Sequence, residues 1–179
     1  MPEPDQPQAV STADVYAAYG EALYLAQSME MGMRIFYYLD KTLPNIPPGK
    51  SPRLDFDDES LPEINTNSLG GFIRQFRREL LEEGAIDPQT RRLMRKLEQS
   101  VEYRNWLVHT YWWERSSQFN TAEGRAEMLA ELQELIAQFR GYDQMIRRFV
   151  LLYFAHYGLD PLQIASAEFK SYLGRGALG

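Results

Sequence analysis

Glu102-Tyr103-Arg104-Asn105-Trp106-Leu107-Val108-His109-Thr110-Tyr111-Trp112-Trp113 is the stretch whose reading decides the fold. It holds one of the chain's two histidines and all three tryptophans, and it has an arginine where helical periodicity calls for an apolar residue. At about 100° per residue, the apolar stripe leading into it runs Leu93, Leu97, Val101 and Val108, with Arg104 between the last two. A buried guanidinium without a partner costs several kcal/mol. Either a polar group from elsewhere meets Arg104, or that part of the seam is wet.

The same periodicity extends in both directions. Asp87-Pro88 sets a helix start, with proline at the first helical position, and the spacing predicts one helix from there to about Ser116. Upstream, Asn67 or Ser68 caps a shorter helix with the face Leu69, Phe72, Ile73, Phe76 and Leu80, closing at Gly84. Before it, residues 42–67 carry five prolines and form a long connection without regular structure. Ser11-Thr12-Ala13-Asp14 starts a long first helix that runs to about Lys41, with the stripe Val15, Tyr19, Ala22, Ala26, Met29, Met33 and Phe36. Downstream, Asn120-Thr121 opens a helix ending near Tyr157 at Gly158. Its stripe is Met128, Leu132, Leu135, Ile136, Phe139, Tyr142, Ile146, Phe149, Val150 and Tyr153, with Gly141 marking a bend or a close approach. Asp160-Pro161 opens a short last helix. No stretch has a period of two, so the fold class is all-α: an up-and-down four-helix bundle with an accessory C-terminal helix and a Pro-rich loop between the first two helices. The expected organisation is a disordered tail over 1–10, one helical domain over 11–174 and a tail over 175–179.

Composition narrows the function. The chain has 179 residues, enough for one domain with a sizeable core, and no cysteine, which removes disulfides, thiol nucleophiles and iron–sulfur ligation. The N-terminus is acidic and proline-rich and the most apolar run, residues 149–157, is far too short to span a bilayer, so a cytoplasmic protein is expected. A net charge of −6 argues against binding nucleic acid through a global field. The charge is uneven, however. Asp55, Asp57, Asp58, Glu59 and Glu63 cluster in the loop, while Arg74, Arg77, Arg78, Arg91, Arg92, Arg95, Lys96 and Arg104 gather after it. A local basic face and ordinary solvated helix surfaces are both open readings. The Glu-x-x-His pairs of di-iron bundles are missing, Gly70-Gly71 lacks a phosphate-loop context, and a Ser-His-Asp hydrolase lacks its strand-to-helix elbow. No metal or other cofactor is expected.

What remains is Arg104, its adjacent amide Asn105, and His109 five positions after the arginine. Arg104-Asn105-Trp106-Leu107-Val108-His109-Thr110-Tyr111 on a late helix of an all-α chain resembles the HEPN superfamily, whose members carry Arg, four to six residues, then His, commonly with a polar residue directly after the Arg. The resemblance covers the bundle in outline and these eight residues in motif. It implies an endoribonuclease that needs no metal, a toxin or defence effector, in which the ribose 2′-OH attacks the neighbouring phosphate. Such a reaction needs a proton carrier that titrates near neutral pH and a cation for the transition-state charge, roles suited to histidine and arginine. His109 is then the general base or acid, Arg104 the phosphate clamp and Asn105 the group that orients His109. Asn105 and His109 share a helical face, whereas Arg104 and His109 lie roughly 140° apart, so a regular helix does not converge them. The resemblance implies a homodimer with both motifs facing a common RNA-binding cleft.

Tyr111, two places after the histidine, resembles the adenylylated tyrosine of the toxin branch that pairs with a nucleotidyltransferase-type antitoxin. Its competing use is as a core residue. Trp106 and Trp112 are candidates to stack on RNA bases, with core or dimer packing as the alternative for them and for Trp113. His156, near a helix C-terminus, reads as structural. A second function class stays open: a non-catalytic helical dimerisation or adaptor module in which Arg104 closes a buried polar network.

Overall fold

The computed structural model describes residues 9–45, 69–82, 84 and 87–160, and among these every regular element is helical. The helices are α1 (Thr12–Thr42), α2 (Leu69–Glu82), α3 (Pro88–His109), α4 (Tyr111–Glu114), α5 (Ser116–Phe119) and α6 (Ala122–His156), with a 3-10 turn over Leu43–Asn45 after α1. The expected N-terminal tail up to residue 8, the loop from residue 46 onward, the accessory helix after Asp160 and the C-terminal tail lie outside the described residues.

Several start and stop signals in the sequence fall at helix ends, while the expected Asn67 or Ser68 cap lies outside the described residues. Ser11 and Asp14 form a reciprocal cap on α1: the Ser11 backbone N–H donates to Asp14 Oδ2 at 2.8 Å, and the Asp14 N–H donates to Ser11 Oγ at 3.2 Å. Thr121 caps α6 by accepting from the Gly124 N–H at 3.0 Å, and Gly158, at φ +65°, turns the chain after it. Gly84, at φ +69°, follows α2 in the same way.

Among the described helices, the two long ones, α1 and α6, make the most extensive contact. Ala18, Ala22 and Ala26 lie on the buried face of α1, and small side chains at that spacing let the partner backbone come close. The buried face of α6 runs Met128, Leu132, Leu135, Ile136, Phe139, Asp143, Ile146, Arg147, Val150 and Phe154. This corrects the expected stripe toward its end. Phe149 is 40% exposed, Tyr142 and Tyr153 are half-buried, and the charged pair Asp143 and Arg147 takes the seam. Gly141 faces open space. The close approach belongs to Gly124, where a Cβ would overlap the backbone of Gln118.

The helix expected to run unbroken to Ser116 instead stops at His109. Thr110 leaves helical geometry at φ −128°, ψ −22°, and its hydroxyl donates to the Trp106 carbonyl at 3.0 Å. Beyond the turn, Tyr111 and Trp112 both pack on α1, where Tyr19 lies 5.7 Å from the Tyr111 ring and 5.0 Å from the Trp112 ring.

Candidate functional site

The site is built where α3 crosses α1. The core side of α3 is Met94, Leu97, Ser100 and Leu107, all buried, and Arg104 sits one turn before Leu107 on that side. Val108, expected in the seam, is 39% exposed and lies outside it. Arg104 therefore occupies a seam position, at an edge that water reaches: its side chain is 29% exposed.

Its partner is Glu30 of α1, which no periodicity in α3 identifies. Arg104 Nη2 donates to Glu30 Oε2 at 3.2 Å, and Arg34 Nη2, one turn further along α1, donates to Glu30 Oε1 at 3.3 Å. One carboxylate is thus held between two guanidiniums, leaving a local charge of +1. Arg104 Nη1 also donates to Asn105 Oδ1 at 3.2 Å, so Asn105 is tied to Arg104 and its amide oxygen is not directed at His109. The Nε atoms of Arg34 and Arg104 are both out of solvent and without a hydrogen-bond partner. The signal in the sequence is a single acid within Met29-Glu30-Met31-Gly32-Met33, otherwise an apolar run.

His109 closes α3 and is exposed, with no side-chain hydrogen bond among the described residues. The regular helix from Arg104 to His109 keeps the two side chains on different faces, so within one chain they do not converge. Val108 and Trp113 flank the break, and Trp113 is 86% exposed. Tyr16 of α1, 56% exposed, lies 5.2 Å from the Trp112 ring, so aromatic surface continues onto α1.

The remaining candidates pack against neighbouring rings. Trp112 is enclosed by Tyr16, Tyr19, Tyr111 and Phe119, with ring centroids 5.0–5.6 Å away. Trp106 packs edge-on against Tyr111 at 5.0 Å, donates its Nε1–H to Glu114 at 2.7 Å and carries the Arg115 guanidinium 5.4 Å from its ring. Arg115 is fixed by Glu131 through two bonds of 2.9 and 2.7 Å. Both tryptophans are half-buried, whereas Trp113 is exposed. Tyr111 has 0% exposure and a hydroxyl enclosed without a partner, and burial, then the nearby Glu131 charge, push its pKa well above the ordinary tyrosine value. That corrects its expected place: it lines no cleft and is closed to a modifying enzyme while the chain is folded. His156, at the end of α6, is exposed and stands edge-on to Tyr157 at 5.1 Å.

No protein-family model, curated protein or solved structure matches the chain. No helix among the described residues is long and apolar enough to cross a membrane.

Proposed function

We propose that the chain is an endoribonuclease of the HEPN type, a toxin or defence effector, working without metal as a homodimer of up-and-down helical bundles. The observation that carries this reading is the pairing of an exposed, unengaged His109 at a helix end with a water-reachable Arg104–Asn105 pair five residues earlier. Because the two faces diverge on one helix, a cleft between two copies is the arrangement that unites a guanidinium with an imidazole. The exposed Tyr16, Val108 and Trp113 supply apolar surface for that contact or for a base.

In the cleft, one His109 takes the proton from a ribose 2′-OH. The 2′ oxygen attacks the adjacent phosphorus, the bond from phosphorus to the 5′ oxygen breaks, and a second, protonated His109 donates to the leaving oxygen. The products are a 2′,3′-cyclic phosphate and a 5′-hydroxyl. Arg104 neutralises charge on the pentacoordinate phosphorus. For this it exchanges Glu30 for phosphate, with Arg34 retaining the Glu30 carboxylate. An antitoxin acting on Tyr111 is not part of the proposal, since that ring is enclosed.

The test is cleavage of single-stranded RNA in the presence of a chelator, with the ends of the products identified. Arg104→Ala and His109→Ala each abolish turnover and leave helical content unchanged; turnover retained in both overturns the reading. The competing class is a non-catalytic dimerisation or adaptor module. The observation favouring it is the closed Arg34–Glu30–Arg104–Asn105 chain, which gives Arg104 a structural use. It predicts no RNA turnover from the wild type and a marked loss of stability in Arg104→Ala.

A further inference from the structure

A second cationic feature lies far from the His109 end. Arg77 and Leu81 of α2 face Arg91, Met94, Arg95 and Glu98 of α3 across a groove of about 320 Å³. Arg77 bonds Glu98 at 2.8 Å and so spans the two helices. Arg91 and Arg95 are exposed and make no ion pair among the described residues, which leaves the groove a net charge of +2. Their position is locally unfavourable. Arg91 ends the first turn of α3, where no acid stands and the helix macrodipole disfavours a cation, Arg95 follows one turn later, and Arg92 and Lys96 add two more charges beside them. Such a concentration against local preference has a use in binding an anion.

The register of α3 selects the anion. Arg91, Arg95, Glu98, Glu102, Asn105 and His109 recur by four and three along one helical face, so the groove and His109 are on the same side of the helix. Arg91 and His109 are separated by five turns, about 27 Å at 1.5 Å per residue. A flexible polyanion of a few repeating units spans that distance, held at one end by the groove arginines and passing the exposed Glu102 on the way to His109. The protein's net charge of −6 does not prevent this, because charges beyond about 8 Å are screened at physiological salt while the groove arginines touch the ligand.

We propose that the Arg77–Arg91–Arg95 groove holds a backbone phosphate of single-stranded RNA whose other end reaches the His109 face. The choice of RNA rests on the ribonuclease reading; the anion site itself does not. The groove is thus an anchor that fixes the strand at a distance from the bond to be cut. Phosphate contacts of this kind position a strand and carry no sequence preference.

The experiment measures binding of a fluorescently labelled, 2′-O-methylated single-stranded oligoribonucleotide, which cannot be cleaved, to the full chain over a series of salt concentrations. Arg91→Gln/Arg95→Gln weakens binding about tenfold, and the slope of log affinity against log salt falls by roughly 1.4, two contacts at about 0.7 each for a single strand. Arg140→Gln/Arg148→Gln, which removes two cations of α6, one of them paired with Glu21 of α1 at 2.6 Å, leaves both nearly unchanged. Equal affinity and slope in the groove variant with helicity intact, an equal loss in the control, or no oligonucleotide binding by the wild type overturns the proposal. Capture of an acidic peptide in place of RNA, with the same two-arginine dependence, also overturns it in favour of a protein partner. Binding through the groove with no cleavage of natural RNA removes the ribonuclease reading and leaves the groove standing; cleavage lost only at Arg104 and His109 does the reverse.

Discussion

Arg104 of α3 and Arg147 of α6 both approach α1, and the fold treats them differently. Arg147 of α6 is 8% exposed. It donates from Nε to Asp143 Oδ2 at 2.7 Å, one turn back on its own helix, and from Nη2 to Ser28 Oγ of α1 at 3.1 Å. Arg104 of α3 meets Glu30 at 3.2 Å with about a third of its side chain in water. In the dry seam the compensating carboxylate comes on the same helix, so the pair is neutral before the helices dock. At the wet edge the carboxylate is shared with Arg34, and the guanidinium can exchange it for another anion. Burial thus separates an arginine used to hold helices together from one that stays available.

The largest expected effect breaks the dry half of this comparison. Arg147→Ala leaves the Asp143 carboxylate enclosed without its cation, and denaturant unfolding should show a loss of about 3–5 kcal/mol. Replacing both partners, Asp143→Leu/Arg147→Leu, should recover most of that loss, because no charge then remains to be desolvated. A double variant as unstable as the single one would mean the pair is held by packing and not by charge.

An intermediate effect comes from Tyr111, whose hydroxyl is enclosed at the same end of the molecule as Arg104 with no partner. Tyr111→Phe removes the orphaned group and should raise stability by about 1 kcal/mol. The same variant should flatten the alkaline limb. Burial holds both Tyr111 and Tyr153 above the ordinary tyrosine pKa, and for Tyr153 the hydrogen bond to Asp40 at 2.9 Å adds to it. Unfolded tyrosines release their protons near pH 10, so above that value the native state binds more protons than the unfolded one. Stability is therefore full below about pH 10 and falls by roughly 1.4 kcal/mol per pH unit for each such group as pH rises. Stability curves at pH 9, 10 and 11 check the sign, and the fall should be shallower in Tyr111→Phe.

The helical class, most helix starts and the oddity of Arg104 are legible from the sequence because they rest on local signals: Ser11 with Asp14, Asp87-Pro88, Thr121, Gly84 and Gly158. What is not legible depends on contacts between helices. Glu30 stands 74 positions from Arg104, and nothing in α3 names it. Asp143 and Arg147 are hidden for a different reason: apolar patterning assigns Tyr142, Ile146 and Phe149 to the core and leaves the i, i+4 charge pair beside them unused, although Phe139, Asp143, Ile146 and Val150 are the side chains that the helix turns inward. The break at Thr110 is likewise tertiary. A straight helix satisfies the local pattern, and nothing in it marks Trp113 rather than Trp112 as the exposed ring.

The smallest effect on stability tests the wet half. Arg104→Ala removes one member of a partly solvated pair, and Glu30 keeps Arg34, so the cost should be about 1 kcal/mol or less, within the range of exposed ion pairs. The contrast with Arg147→Ala is the point: two arginines pairing with carboxylates at bonding distance should differ severalfold in stability while only the less costly loss removes RNA turnover. Glu30→Gln sharpens this further. It keeps the shape of the Glu30 side chain and removes the charge that competes with phosphate for Arg104 and Arg34, so RNA affinity should rise while the melting temperature changes little. A large drop in melting temperature for Arg104→Ala, with RNA affinity indifferent to Glu30→Gln, would place Arg104 with Arg147 as a structural ion and leave the adaptor reading in possession of the site.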